Sequence, residues 1–258
     1  MMTTVRKAVL AAVSAAGAIA LAAPVEAEPT SPTIVLVHGA FADATSWDSV
    51  AAKLRADGYR AVVPDNPLRG PGSDAAVIEQ TLAGIDGPVV LVGHSYGGAV
   101  ITNVADPDVR ALVYIAAFAP APGEPMFFAI NPLQFPGSRL LPPALSLTVA
   151  NGGLDGYVDP VYFREVFAQD VSDVTAANMI AHQKSIAAGA NIELSGPASW
   201  STTPSWFLVS ADDRVIPPAA QRFMARRAGS RTTEVTASHA SLVSQPAAAA
   251  AVIEQAAQ

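Results

Sequence analysis

Leu91-Val92-Gly93-His94-Ser95-Tyr96-Gly97-Gly98 lies between an apolar run, Val89 to Val92, and a stretch with helical pattern, Gly98 to Val104. Its centre fits G-x-S-x-G. Alone that pattern is weak. Placed between a strand and a helix, it describes a turn so tight that only glycine fits two residues either side of the serine. Such a turn lifts the Ser95 hydroxyl clear of the sheet and sets it over the unpaired N–H groups of a helix N-terminus.

Outward from this turn the chain alternates strands and helices. Thr33 to Val37 is a continuous β-branched and aliphatic run, the pattern of a strand buried on both faces. Ser46 to Gly58 carries Trp47, Val50, Ala51 and Leu54 at helical spacing. Strands are expected at Tyr59–Val63, Pro88–Val92 and Val109–Ala116, with a helix at Asp74–Ile85 and another at Ser95–Val104. From about residue 119 to 200 the rhythm stops. That segment is Pro-rich at first, then holds two helical stretches, one opened by Asp159-Pro160 and one running from Ser172 towards Ala188. The alternation resumes with a strand at Pro204–Ser210, a helix at Pro217–Ala228, a strand at Thr232–Val235 and a helix at Pro246–Ala257. The expectation is one α/β domain, residues 28–258, with a mainly parallel sheet of about six strands flanked by helices and an inserted helical cap.

The first 27 residues read as an address. Arg6 and Lys7 precede the uncharged run Ala8 to Ala23, and Val25-Glu26-Ala27 supplies small residues at a cleavage position. This is the anatomy of a secretory signal peptide cleaved after Ala27, and it is short for a membrane span. The protein is therefore expected to be secreted or periplasmic, with no stable membrane anchor after cleavage.

Composition excludes several chemistries. The 258 residues are 51% hydrophobic and include no Cys, which removes disulfides, thiolate metal sites and Cys nucleophiles. Lys and Arg total 15 against 22 Asp and Glu, a net charge of −7 with no basic stripe, so nucleic acid is not an expected partner. The chain holds no H-E-x-x-H, no clustered His, no Walker loop and no G-x-G-x-x-G after a strand. No metal or cofactor is expected.

A serine hydroxyl needs a base to act as a nucleophile. Behind such a turn the partners follow in the order Ser, acid, His. Four His are present. His38 is expected to hydrogen-bond within its own loop, His94 to pack beside the turn, and His182 to be a solvated helix residue. His239, between the last strand and last helix, falls at the strand carboxyl ends beside Ser95 and is the candidate base. Asp212 and Asp213 both follow the preceding strand, and Asp213 is favoured as the acid. Backbone donors for an oxyanion are expected from Tyr96 and from Ala40, with Phe41 as the alternative to Ala40. Phe41, Phe127, Phe128, Phe163 and Trp200, with Tyr162 and Met179, are candidates for a substrate pocket.

The chain resembles the α/β-hydrolase fold superfamily. Within it, the likeness is to the small capped group of plant methylesterases, hydroxynitrile lyases and related bacterial esterases. The resemblance rests on Val35 to Ala40 with Trp47, on Leu91 to Gly98, and on Ala116, Phe118 and Pro120. It also rests on Asp213 through Ile216-Pro217 to Gln221-Arg222-Phe223, and on His239 followed by Gln245-Pro246. It implies a serine hydrolase acting on a small-molecule ester through Ser95, Asp213 and His239. Lyases of the group carry Thr where this chain has Gly39 and Lys where it has Ala240, which favours ester hydrolysis here. The alternatives are lyase or perhydrolase chemistry on the same triad, or a non-catalytic receptor.

Overall fold

The computed structural model describes residues 31–258; the expected signal peptide, residues 1–27, lies outside the described residues. In chain order the elements are β1 (Thr33–Val37), α1 (Asp48–Ala56), β2 (Ala61–Val62), α2 (Pro71–Leu82), β3 (Val89–His94), α3 (Tyr96–Thr102) and β4 (Val109–Ile115). An excursion follows, with β5 (Leu145–Ala150), β6 (Gly153–Val158), α4 (Pro160–Phe167), α5 (Asp173–Ala181) and β7 (Ile186–Ala187). The chain then returns through β8 (Ser205–Ser210), α6 (Pro218–Arg227), β9 (Arg231–Val235), α7 (Ser241–Ser244) and α8 (Pro246–Ala256). Six strands form one parallel sheet in the order β2-β1-β3-β4-β8-β9.

Strand alternation divides the core in two. Ile34, Leu36, Val90 and Val92 face one layer with Trp47, Val50 and Leu54 of the α1 region and Ile253 of α8. Val35, Val37, Leu91 and Tyr114 face the other with Ile78 of α2, Val100 of α3 and Met224 of α6. Each fully buried aliphatic side chain contributes about 1.5–3 kcal/mol, which is how a chain without disulfides holds together. The sheet order reverses between β1 and β3, so their carboxyl ends open a crevice where parallel sheets place ligands. The loops at His38–Phe41 and at Ser95 both emerge there.

The expected elements are present with shifted ends. The helix expected from Asp74 starts at Pro71, because proline is already set for the first helical turn; Asp74 is buried instead of opening the helix. The helix expected to run towards Ala188 stops at Ala181, and Ile186–Ala187 becomes a strand. The excursion carries both expected helices, α4 and α5, but is not purely helical: it also holds a three-stranded antiparallel sheet, β5-β6-β7. Its hairpin turns at Asn151-Gly152, both with positive φ, the conformation that Asn-Gly adopts in tight hairpins.

Candidate active site

Ser95 stands alone between β3 and α3 with φ 52° and ψ −121°, a strained conformation for a residue with a side chain. The surrounding packing forces it. A Cβ on Gly93 would come within 2.5 Å of the Gly97 carbonyl oxygen, and one on Gly97 would overlap the Val37 carbonyl. The Ser95 carbonyl accepts from the N–H groups of Gly98 and Phe118, which locks the turn.

The loop between β9 and α7 brings His239 onto this serine. Ser95 Oγ lies 2.8 Å from His239 Nε2, and His239 Nδ1 lies 2.7 Å from Asp213 Oδ2. All three residues are buried. Asp213 Oδ1 accepts from the N–H groups of Val215 and Ile216, and Oδ2 also accepts from Gln221 Nε2. With every lone pair on the carboxylate facing a donor, the His239 Nδ1 position must carry hydrogen, which leaves Nε2 free to accept from Ser95. Asp212 is exposed, and its carbonyl merely accepts from Gln169. The choice between the two carboxylates thus follows from which one points inward.

Groups distant in the chain position this line. Asp170, just beyond α4, accepts from the Ser238 N–H and the Ser244 hydroxyl, and the Ala240 N–H donates to the Phe167 carbonyl. The excursion therefore grips both sides of His239. His94 Nε2 donates to the His239 carbonyl at 3.0 Å; complete burial holds the His94 pKa well below the usual imidazole value, so this ring stays neutral. Burial also lowers His38, whose Nδ1 donates to the Gly39 carbonyl within its own loop. Only His182 reaches solvent, where it pairs with Asp43.

Residues 34–252 match the family model described as the alpha/beta hydrolase family. The chain belongs to the alpha/beta hydrolase family. It is 33% identical to the pyrethroid hydrolase of Sphingobium wenxiniae over 84% of each chain. It is 37% identical to the carbendazim hydrolyzing esterase of Nocardioides sp. over 46% of this chain and 52% of that one. Among solved structures, a pyrethroid hydrolase from Sphingobium faniae superposes with TM-score 0.69 at 25% identity, covering 88% of this chain and 97% of that one. Polyneuridine aldehyde esterase shares the fold at TM-score 0.76 and 17% identity, covering 89% and 100%. The protein is an enzyme, a hydrolase of this family.

In this hydrolase, Ser95 opens onto an apolar cavity of about 270 Å³, walled also by Ala40, Tyr96, Met126, Leu145 and Ile186. Ala40 and Tyr96 both border it. The Phe41 N–H is engaged with the Lys184 carbonyl, which leaves Ala40 as the donor expected from that loop. The Tyr96 hydroxyl is anchored on buried Asp74 at 2.6 Å, which fixes the residue whose backbone follows the nucleophile. Phe41 and Phe127 line the cavity. Phe128, Phe163 and Trp200 are not among its lining residues. Phe128 packs on Phe135 and Phe223, Phe163 stacks on Phe167, and Trp200 donates to the Pro120 carbonyl. These rings serve packing, and the aliphatic wall from β5 and β7 takes the place expected for them.

Proposed function

We propose that this hydrolase cleaves apolar carboxylic esters through an acyl-enzyme on Ser95. His239 Nε2 takes the hydroxyl proton as Ser95 Oγ attacks the carbonyl carbon. Asp213 holds the Nδ1 proton and stabilises the imidazolium. The N–H groups of Ala40 and Tyr96 receive the developing oxyanion. His239 then returns its proton to the departing alcohol. The same nitrogen then takes a proton from water as its oxygen attacks the acyl carbon, and returns that proton to Ser95 Oγ as the acid leaves.

One observation carries this reading: the unbroken line from Ser95 Oγ through His239 to Asp213, at 2.8 and 2.7 Å, opening onto an apolar cavity. The esterase named among the relatives supports it. Gly39 supports hydrolysis over the lyase alternative, because a Cβ there would come within 2.8 Å of the Ser95 Cβ. In the same proposal the β4–β8 excursion acts as a cap over the site, and residues 1–27 direct export, which N-terminal sequencing of the protein recovered outside the cytoplasm would test. The function itself is tested with a panel of esters on wild type and Ser95→Ala. Turnover by the first and its loss in the second is expected; equal turnover by both refutes the assignment.

A further inference from the structure

The apolar surface beside Ser95 continues past the cavity. Its outer wall is the β5–β6 hairpin, and strand alternation gives that hairpin one apolar face. Leu145, Leu147 and Val149 lie on β5, directly opposite Val158, Gly156 and Leu154 on β6. Leu145, Leu147 and Gly156 line the cavity. Val149 and Leu154 extend the same face two residues further, about 7 Å, towards the Asn151-Gly152 turn. Exposure rises along this line: Val158 is fully buried, Leu147 is 55% exposed and Val149 is 84% exposed. Leu154, opposite Val149, is 48% exposed.

The opposite face is polar and pinned. Asp155 Oδ1 and Oδ2 accept from Arg69 Nη1 at 2.9 and 3.0 Å, and Oδ2 also accepts from the Ser185 hydroxyl and Asn151 Nδ2. Arg69 Nη2 donates to the Ser185 carbonyl. The hairpin is therefore held by its polar side while its apolar side stays presented to the cavity mouth. Gly156 marks the waist between cavity and outer strand. A Cβ there would meet Leu145 Cδ1 at 3.4 Å, Leu147 Cδ2 at 3.7 Å and Ile186 Cγ2 at 3.8 Å. These are ordinary contacts, so an added methyl is compatible with the fold while occupying part of the passage.

We propose that this face is an extended substrate track, which receives the apolar chain of an ester longer than the cavity can hold, with Gly156 setting the width at its entrance. The proposal rests on the ester-hydrolase reading of Ser95. Continuity names the occupant: the same strands that wall the cavity carry the exposed side chains, and the nucleophile lies at the inner end.

The test compares wild type, a Val149→Ser/Leu154→Ser double variant, Gly156→Ala and Gly156→Val. Each is assayed as kcat/KM on p-nitrophenyl esters from acetate to palmitate and on alkyl acetates of rising chain length, all below their aggregation concentrations. In the acyl or the alkyl series, the double variant should lose about tenfold on the longest esters and nothing on the shortest. The Gly156 variants should lose more on long and intermediate esters than on acetate, in the order Val over Ala. The exposed positions of Val149 and Leu154 make the double variant the safe one for folding. The track is overturned by a loss that is uniform across chain length, or by no loss in either series. It is equally overturned by a loss seen only on emulsified ester, which would mean a lipid surface, or by a change confined to self-association. Those outcomes leave the Ser95 reading standing; undiminished turnover in Ser95→Ala overturns that reading and the track with it.

Discussion

Replacing Asp213 by Asn exchanges one oxygen for an amide nitrogen, and the surrounding donors dictate where that nitrogen goes. The Val215 and Ile216 N–H groups both point at Oδ1, so the amide oxygen must stay there. The introduced NH₂ then faces Gln221 Nε2 and His239 Nδ1. Gln221 has no freedom to turn over, because its oxygen accepts from the Ser210 N–H and its nitrogen donates to the Ile216 carbonyl. His239 is left to adjust, by accepting on Nδ1 and carrying its proton on Nε2. That proton then faces Ser95 Oγ, and the ring no longer serves as a base. A wrong-tautomer base of this kind costs about 10⁴ in kcat in the serine-protease template. The facing Gln221 and amide donors cost a further ~2 kcal/mol of stability, or about 4–8 °C in Tm for a domain of this size. The assay is initial-rate ester hydrolysis at pH 8 beside thermal unfolding, with Asp213→Ala and Asp212→Asn as companions. Asp213→Ala should be equally inactive and less stable, since it orphans every donor at once. Asp212→Asn, on an exposed side chain, should stay within about twofold of wild type. Retention of more than about a tenth of wild-type kcat in Asp213→Asn, or an equal loss in Asp212→Asn, would refute the role of Asp213.

Other expectations follow from the same geometry. The hydrogen bonds from Arg69, ahead of the burial that opposes them, hold the Asp155 carboxyl at about 2 against an ordinary 3.8. A depressed carboxyl stabilises the fold above its unfolded pKa and loses that contribution as pH falls through its folded one. Urea unfolding should therefore show a loss between about pH 4 and pH 2 that is missing in Asp155→Asn; the same pH slope in both proteins would contradict the pairing. Arg69→Met should cost about 3 kcal/mol at pH 7 by leaving that buried carboxylate without its countercharge, and a cost below about 1 kcal/mol would place the anchor elsewhere. Ser95→Gly and Ser95→Ala both remove the hydroxyl, but only glycine relieves the positive φ, so the glycine variant should be the more stable by about 1 kcal/mol. An alanine variant equal or superior in Tm would deny the strain.

The parts legible from sequence were those written locally. The turn at Ser95 announces itself because Gly93 and Gly97 are required by backbone that lies within a few residues or on the adjoining strand. His239 could be singled out because few His exist and the others fall on neighbouring loops or a surface helix. What escaped depends on long separations or on facing. Asp74, Asp170 and Gln221 are ordinary polar residues until the fold seats them against Tyr96, Ser238 and Asp213. Aromatic size is a partial guide to the pocket: Phe41 and Phe127 line it, and Phe128 does not. Phe163 and Trp200 point into packing, while Leu145, Leu147 and Ile186 wall the cavity from a hairpin. That hairpin did leave a signal, alternating Leu145, Leu147 and Val149 before Asn151-Gly152, but the prolines preceding it read as irregular chain.

In the proposed mechanism the acyl carbon of the ester becomes bonded to Ser95 Oγ. The direct measurement is rapid-quench mass spectrometry of wild type and Ser95→Ala during turnover of a p-nitrophenyl ester, with the adduct mapped by peptide. A burst of p-nitrophenol stoichiometric with enzyme and one acyl mass on the Ser95 peptide are expected, both absent from the alanine variant. An acyl group on another residue, or undiminished turnover without Ser95, would contradict it.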